Sequence, residues 1–271
     1  MSNTYQIYLI SDSTGETLDR IFLAIKAQFE NIDYKINTFS FTRTENQILK
    51  ILNEAEKNNS IILYSIVDSN LAKYLSNISN EKNIPCFGVL GDLILSFSKL
   101  LNQKASHQPS GQHALNDEYY KRIEAIQFTM THDDGKKIDD LNNADVILLG
   151  VSRTSKTPTS IYLANRGYKT INIPLVLDQK IPKDLISNRK ACIIGLTADP
   201  ERLADIRRNR VAIMKDNKIK DYTDMEYIKK EVNDSKILFK KNNWPIIDVT
   251  RRSVEETAAS ILKIIDIKKN T

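Results

Sequence analysis

Cysteine, histidine and long apolar runs are all scarce in this sequence, and each scarcity closes off a class of function. Two cysteines, Cys86 and Cys192, and three histidines among 271 residues give no ligand set at zinc-site spacing and no basis for a disulfide framework. Both thiols lie in short apolar runs, where a cysteine serves as a small core residue. No stretch approaches the roughly 18 uninterrupted apolar residues of a membrane-spanning helix. The first residues, Met1 to Gln6, are polar and lack the basic-then-apolar pattern of a secretory signal, so a cytoplasmic protein is expected, with no membrane partner. No internal repeat or low-complexity tract interrupts the chain.

What is present is ordinary globular material. Hydrophobic residues make up 41% of the chain and charged ones 27%, enough for one large core or two modest ones, and two lobes are expected. The net charge of +5 is uneven, because twelve Lys or Arg stand against eight Asp or Glu between Glu201 and Asn243. Such an excess can steer phosphates or an acidic partner, and a solvated helix face accounts for it as well. Tyr222, Tyr227, Phe239 and Trp244 lie among these charges at no stacking spacing, so nucleic-acid binding is not expected.

The first hundred residues alternate apolar runs with amphipathic ones. Tyr5–Ile10 is followed by a helical pattern from Gly15 to Phe29, a run at Ile36–Phe41, and a helix over Glu45–Lys57 with Ile48, Ile51 and Leu52 on one face. The run Ile61–Val67, a helical Leu71–Lys82 and the run Cys86–Val89 continue the pattern. Strands separated by helices of ten or more residues imply right-handed crossovers and a parallel, helix-covered sheet, that is, an α/β fold.

Residues 102–144 read as a connecting segment between a first α/β domain (1–101) and a second (145–271). Periodicity stops from Asn102 to Gln112, and after a helical Tyr119–Ile123 the run Ala125–Met130 reads as a strand. Alternation resumes with a strand at Asp145–Gly150, a helix over Lys156–Arg166, and strands at Thr170–Ile173 and Cys192–Leu196. Asp199 can cap a helix running through Arg210, and Ser253 with Glu256 has the spacing of a capping box opening a final helix to about Ile267.

The segment Gly150, Val151, Ser152, Arg153, Thr154, Ser155, Lys156, Thr157 carries the chemistry. A phosphate-binding P-loop needs an apolar strand, inward-pointing backbone N–H groups, a lysine for phosphate charge, a Ser or Thr for magnesium, and a helix starting there. Val146–Leu149 supplies the strand, Gly150 opens the loop, and Lys156 and Thr157 close it. Ser155 occupies a position where the usual pattern has glycine, because backbone there approaches phosphate closely. Pro158 fits the first turn of a helix. The helix dipole adds its positive end to Lys156 and Arg153, making an anion trap, although an ordinary strand-to-helix turn has the same outline.

Beyond the loop, distinctive runs occur at Ser11–Thr17, Tyr119–Phe128, His132–Gly135, Gly195–Arg202 with Ile206–Arg207, and Asp248–Ala258. With Gly150–Pro158 they make the sequence resemble, in order and along almost its whole length, the pyruvate, phosphate dikinase and phosphoenolpyruvate synthase regulatory proteins. The resemblance implies a bifunctional regulator of a partner enzyme, the dikinase or the synthase. It implies a kinase that takes phosphoryl from ADP, leaving AMP, to modify a threonine beside the partner's catalytic histidine. It also implies a phosphorylase that uses inorganic phosphate to strip that threonine, releasing pyrophosphate. The Arg-Thr-Ser-Lys-Thr-Pro form of the loop is closer to the dikinase branch.

On that basis the backbone of Gly150–Thr157 and Lys156 are expected to hold the phosphates of ADP, and Thr157 to ligate Mg2+. Arg153 is expected to neutralise the transferred group. Phosphorylating a threonine calls for a carboxylate near its hydroxyl, and Asp133 and Asp134 are the candidates as base, orienting group or metal ligand, although Asp-Gly also favours a plain turn. His132 is a lesser candidate, as are His107, His113, Arg122 and Glu124. Ser11–Gly15, between a strand and a helix, reads equally as a cap or as a second place for phosphate handling or partner recognition. A small-molecule kinase, which would need a lid of which the sequence has no obvious trace, and a non-catalytic ADP sensor are the competing classes. One pocket or two, and the oligomeric state, are left open.

Overall fold

The computed structural model of the chain describes residues 4–30, 32–111, 117–135, 138–176, 181–188, 190–214 and 220–269. It divides into two compact units, Met1–Ala114 and Leu115–Thr271, so the segment 102–144 is split between them. Each unit is built on one four-stranded parallel sheet covered by helices.

The first unit runs β1 (Tyr5–Ser11), α1 (Glu16–Lys26), β2 (Tyr34–Phe39), α2 (Glu45–Ala55), β3 (Ser60–Ser65), α3 (Ser69–Glu81), β4 (Cys86–Gly88) and α4 (Gly91–Leu101). The strand order is β2-β1-β3-β4. Alternation along β1 divides the core between the two faces of the sheet. Tyr8 and Ile10 pack with Ile48, Ile51 and Leu52 of α2 and Leu75 of α3, while Ile7 and Leu9 meet Leu18 and Phe22 of α1. A capping box fixes the start of α2: Gln47 N–H donates to Thr44 Oγ1 and Thr44 N–H to Gln47 Oε1, satisfying backbone donors that a helix leaves open.

The second unit contains α5 (Asp117–Thr131), 3-10 turns at Asp133–Gly135 and Ile138–Asn143, β5 (Val146–Gly150), α6 (Lys156–Asn165), β6 (Thr170–Pro174), α7 (Lys183–Ser187), β7 (Cys192–Thr197), α8 (Pro200–Met214), α9 (Lys220–Thr223), α10 (Met225–Lys241), β8 (Ile246–Asp248) and α11 (Val254–Lys269). Its strand order is β6-β5-β7-β8. All five residues of β5 are buried, as expected of a strand covered on both faces. Val146 and Leu148 face Leu203 of α8, Val232 of α10 and Ile261 of α11. Ile147 and Leu149 face Ile171, Ile193 and Phe239. The expected capping box is present, with Glu256 N–H on Ser253 Oγ and Ser253 N–H on Glu256 Oε2. Asp199 Oδ1 accepts from the N–H groups of Glu201 and Arg202 at the start of α8.

One expected element is corrected. Ala125–Met130 is not a strand but the second half of α5. The residues of that helix which become buried, Ala125 and Thr129, are four apart, the spacing of one helical face, not of a pleat. Among the described residues no helix is long and apolar enough to cross a membrane.

In both sheets the order reverses beside the first strand of the unit, and open parallel sheets bind ligands in the crevice at the carboxyl edge of that switch point. The segments placed there are Asp12–Gly15, after β1, and Val151–Ser155, after β5.

Candidate functional site

The loop after β5 is compact because its own side chains tie it down. Thr154 Oγ1 donates to Val151 O at 2.9 Å and Lys156 Nζ donates to the same carbonyl at 3.0 Å. Gly150 has no room for a side chain, since a Cβ there would stand 2.6 Å from both Leu196 O and Thr154 Oγ1. Arg153 and Ser155 both have positive φ, +72° and +57°. Ser155 thus holds the left-handed backbone for which glycine is the usual choice, which is the physical content of the glycine expected there. α6 begins at Lys156, immediately after it.

Lys156 is 6% exposed. Burial pushes its ammonium down from 10.5 to about 8; the Asp134 carboxylate opposes this, Arg207 and Arg153 reinforce it, and Asp133 opposes it. The lysine is therefore a desolvated cation with two further cations and two carboxylates around it, and an incoming polyanion would offset the cost of its burial.

On the other side of the loop the 3-10 turn carries its first carboxylate to α6. Thr157 Oγ1 donates to Asp133 Oδ1 at 3.2 Å, and Asn172 Nδ2 donates to that same oxygen and, at 3.3 Å, to Thr157 Oγ1. Asp134 N–H donates to Asn172 Oδ1 at 3.1 Å. Asn172, a buried amide in the middle of β6, thus holds the turn against the start of α6. Sequence reasoning gave it no role, and its one signal was a polar residue inside the apolar run Thr170–Pro174. The Asp134 carboxylate is exposed.

Behind the loop lies a second group that the sequence did not single out. Arg207 of α8 is fully buried. It donates from Nη2 to Ser152 O at 3.2 Å, and from Nη1 to Tyr222 O at 3.2 Å and to Glu231 Oε2 at 2.7 Å. Its guanidinium lies 4.7 Å from the centre of the Tyr222 ring. The Tyr222 hydroxyl is 3.0 Å from Ser152 Oγ and accepts from Arg153 Nε at 3.2 Å. Arg207 and Ile206 belong to one of the distinctive runs, yet nothing in their spacing says that the arginine turns inward.

The lesser candidates separate. His132 closes α5 with its Nδ1–H on Phe128 O at 2.7 Å and its ring stacked on Phe128, a structural setting. Glu124 pairs with Lys169 at 2.6 Å, and Arg122 is exposed on α5. His107 belongs to the first unit, where its Nδ1–H donates to Val67 O at 2.6 Å; His113 lies outside the described residues.

The Ser11–Thr17 segment does not cap α1 by a side chain, since Gly15 occupies the cap position with φ +89° and no side-chain cap bond forms. Its polar groups turn inward instead. Asp12 Oδ2 accepts from Val67 N–H at 2.7 Å, and Ser11 Oγ accepts from Ser65 Oγ at 3.0 Å and from Ser13 N–H at 3.1 Å. Burial raises the Asp12 carboxyl above its ordinary value. These residues line a cavity of about 160 Å³ at the carboxyl edge of the first sheet.

The Thr157 hydroxyl and the Asp133 carboxylate stand side by side, two oxygens of the kind that would hold a divalent cation bound together with phosphates. Mg2+ bound with phosphates takes one or two protein oxygens and leaves its other positions to substrate and water. Among the described residues there is no cluster of three or more His, Cys, Asp or Glu of the kind that would hold a metal by protein groups alone.

A family profile described as kinase/pyrophosphorylase matches residues 7–262. A Pelagibacter ubique protein described as a pyruvate, phosphate dikinase regulatory protein is 68% identical over 100% of this chain and 99% of its own length. Proteins of the same description from Bartonella bacilliformis and Rhizobium meliloti are 43% and 44% identical, each over 97% of this chain, and over 94% and 96% of their own lengths.

Proposed function

The chain belongs to the kinase/pyrophosphorylase family, and from that premise we propose that it is a bifunctional regulator of pyruvate, phosphate dikinase, adding phosphate to a threonine of that enzyme at the expense of ADP and removing it with inorganic phosphate. The observation that carries the reading is the convergence on one strand end of Lys156, Thr157 and Asp133. The dikinase is preferred to phosphoenolpyruvate synthase as target because all three relatives carry the dikinase description.

In the kinase direction the backbone N–H groups of Val151–Ser155, the start of α6 and the Lys156 ammonium hold the two phosphates of ADP. The threonine oxygen attacks the terminal phosphorus, the bond from that phosphorus to the bridging oxygen breaks, and AMP leaves. The hydroxyl proton passes to the exposed carboxylate of Asp134. Asp133 is engaged by Thr157 and Asn172; with Thr157 it would hold Mg2+, which would offset phosphate charge. Arg153 neutralises the group in flight. In the other direction an oxygen of inorganic phosphate attacks the phosphothreonine phosphorus. The bond to the threonine oxygen breaks, that oxygen takes, by way of Asp134, the proton that the attacking hydrogen phosphate gives up, and pyrophosphate leaves.

The test is incubation of the protein with dikinase, Mg2+ and either ADP or ATP, with the phosphate mapped by mass spectrometry. Threonine phosphate that depends on ADP and vanishes in Lys156→Ala is the expected result. Undiminished turnover in Lys156→Ala would remove the loop from the mechanism, and a phosphorylated small molecule in place of the protein would overturn the reading.

A further inference from the structure

Two of the distinctive runs, Gly195–Arg202 and Asp248–Ala258, make no side-chain hydrogen bond to the phosphate loop among the described residues, yet the fold brings them together beside it. β7 and β8 are parallel neighbours with Thr197 opposite Asp248, so the segments that follow them leave the sheet side by side. Asp199 N–H donates to Thr250 Oγ1 at 2.9 Å, Thr250 N–H donates to Asp248 Oδ1 at 2.9 Å, and Val249 N–H donates to Thr197 O at 2.8 Å. Between the segments lies an open groove of about 1060 Å³ lined by charged and polar side chains.

We infer that this groove receives the adenosine half of the nucleotide whose phosphates sit on Gly150–Thr157, an inference that rests on the proposed ADP reading of that loop. The position of the groove favours this. β7 is hydrogen-bonded to β5, and β8 to β7. At about 4.8 Å between strands, the groove lies roughly 5 to 10 Å along the carboxyl edge from the loop strand. A nucleoside diphosphate spans such a distance between its terminal phosphate and its base. The loop strand and β7 end in close contact, with no room for a side chain between Gly150 and Leu196 O.

The charge of its lining favours it as well. The lining holds Arg202, Arg251 and Arg252, but also Asp199, Glu201, Asp205 and Asp248, so the cations are more than balanced. That is the wrong field for a polyanion and a suitable one for a neutral nucleoside, with carboxylates to accept from ribose hydroxyls and guanidinium planes to lie on a purine. Several of these groups are already engaged: Asp199 caps α8, Asp205 pairs with Arg208, Asp248 accepts from Thr250, and Arg252 donates to Ser260. Arg202 and Arg251 are exposed and make no side-chain hydrogen bond or ion pair among the described residues. They are the two guanidinia available to cover the base.

Calorimetric titration of the full chain with ADP and, separately, with inorganic pyrophosphate tests the assignment. In the double variant Arg202→Ala/Arg251→Ala, ADP should bind on the order of tenfold more weakly or worse, while pyrophosphate affinity stays at the wild-type level, which also shows that the fold is intact. Unchanged ADP affinity would overturn the inference, as would equal losses for both ligands. Lys156→Ala should weaken both ligands. If wild-type protein bound neither, the ADP reading of the loop would fall and this inference with it, whereas a failure confined to the groove leaves that reading standing.

Discussion

At the scale of single residues, the burial of Lys156 works against stability. Its folded pKa, about 8, lies below the ordinary 10.5. Below pH 8 both folded and unfolded chains carry the charge, and the cost of burying it is present in full. Between about pH 8 and 10.5 the unfolded chain keeps a proton that the folded chain has released, so stability gains with rising pH across that window. Lys156→Met, which keeps the stem and removes the charge, is expected to be more stable than wild type by about 1–3 kcal/mol at pH 7, allowing for the lost bond to Val151 O. The gap should narrow by pH 10 in urea melts at the two pH values. A variant less stable at pH 7 would mean that the burial cost is not there. Ser155 offers a second residue-scale test. Its φ of +57° costs a serine about 1 kcal/mol that a glycine avoids. Ser155→Gly should therefore keep ADP affinity and match or exceed wild-type stability, while Ser155→Val, with a β-branched side chain in the same conformation, should lower both; thermal melts with and without ADP read both effects.

Between elements, the Arg207–Glu231 pair ties α8 to α10 and, through Ser152 O, to the loop. Both partners are buried, Arg207 completely, and removing one partner of a buried pair leaves an uncompensated charge worth roughly 3–5 kcal/mol. Glu231→Ala should lose stability of that order and weaken ADP binding as well. Replacing both, as Arg207→Met/Glu231→Leu, should recover much of the stability but not the affinity, since Ser152 O and the Tyr222 ring stay without their cation. Equal recovery of both in denaturation and titration experiments would show that the pair only fills space. This pair also marks where the sequence stops being legible. β1, β3, β5 and β7 could be read because strands covered on both faces are continuous apolar runs, and the caps at Asp199 and Ser253 because their partners are two or three residues away. The run Ala125–Met130 misled because its residues alternate in polarity without being pleated. α4 drew no expectation, since Leu95-Ser96-Phe97-Ser98 also alternates and the helix buries none of its residues. The loop itself was visible, but the contacts that tie it and the start of α6 to their surroundings join Asp133 to Thr157, Asp133 to Asn172 and Arg207 to Ser152. Contacts between residues so far apart in the chain leave no periodicity to read.

The molecule as a whole carries two separate sets of cores, one within each compact unit. Every residue assigned to ADP, from Asp133 to Arg251, belongs to the second unit, while the hydroxyl-lined cavity after β1 belongs to the first. A ligand that binds only the folded form of one unit stabilises that unit by an amount set by its concentration, about 2.7 kcal/mol at one hundred times its dissociation constant. Hydrogen exchange resolves where the stabilisation is felt. Saturating ADP is expected to slow exchange in β5, its following loop, α6, β7 and the start of α8, and to leave β1 to β4 unchanged. Equal slowing in both sheets would mean that the units open together or that the first unit also holds nucleotide. The same experiment with inorganic phosphate separates one anion site from two. Slowing confined to Val151–Thr157 keeps both directions of phosphoryl transfer on the one loop. Slowing at Ser11–Thr17 would instead give the first unit a phosphate site of its own.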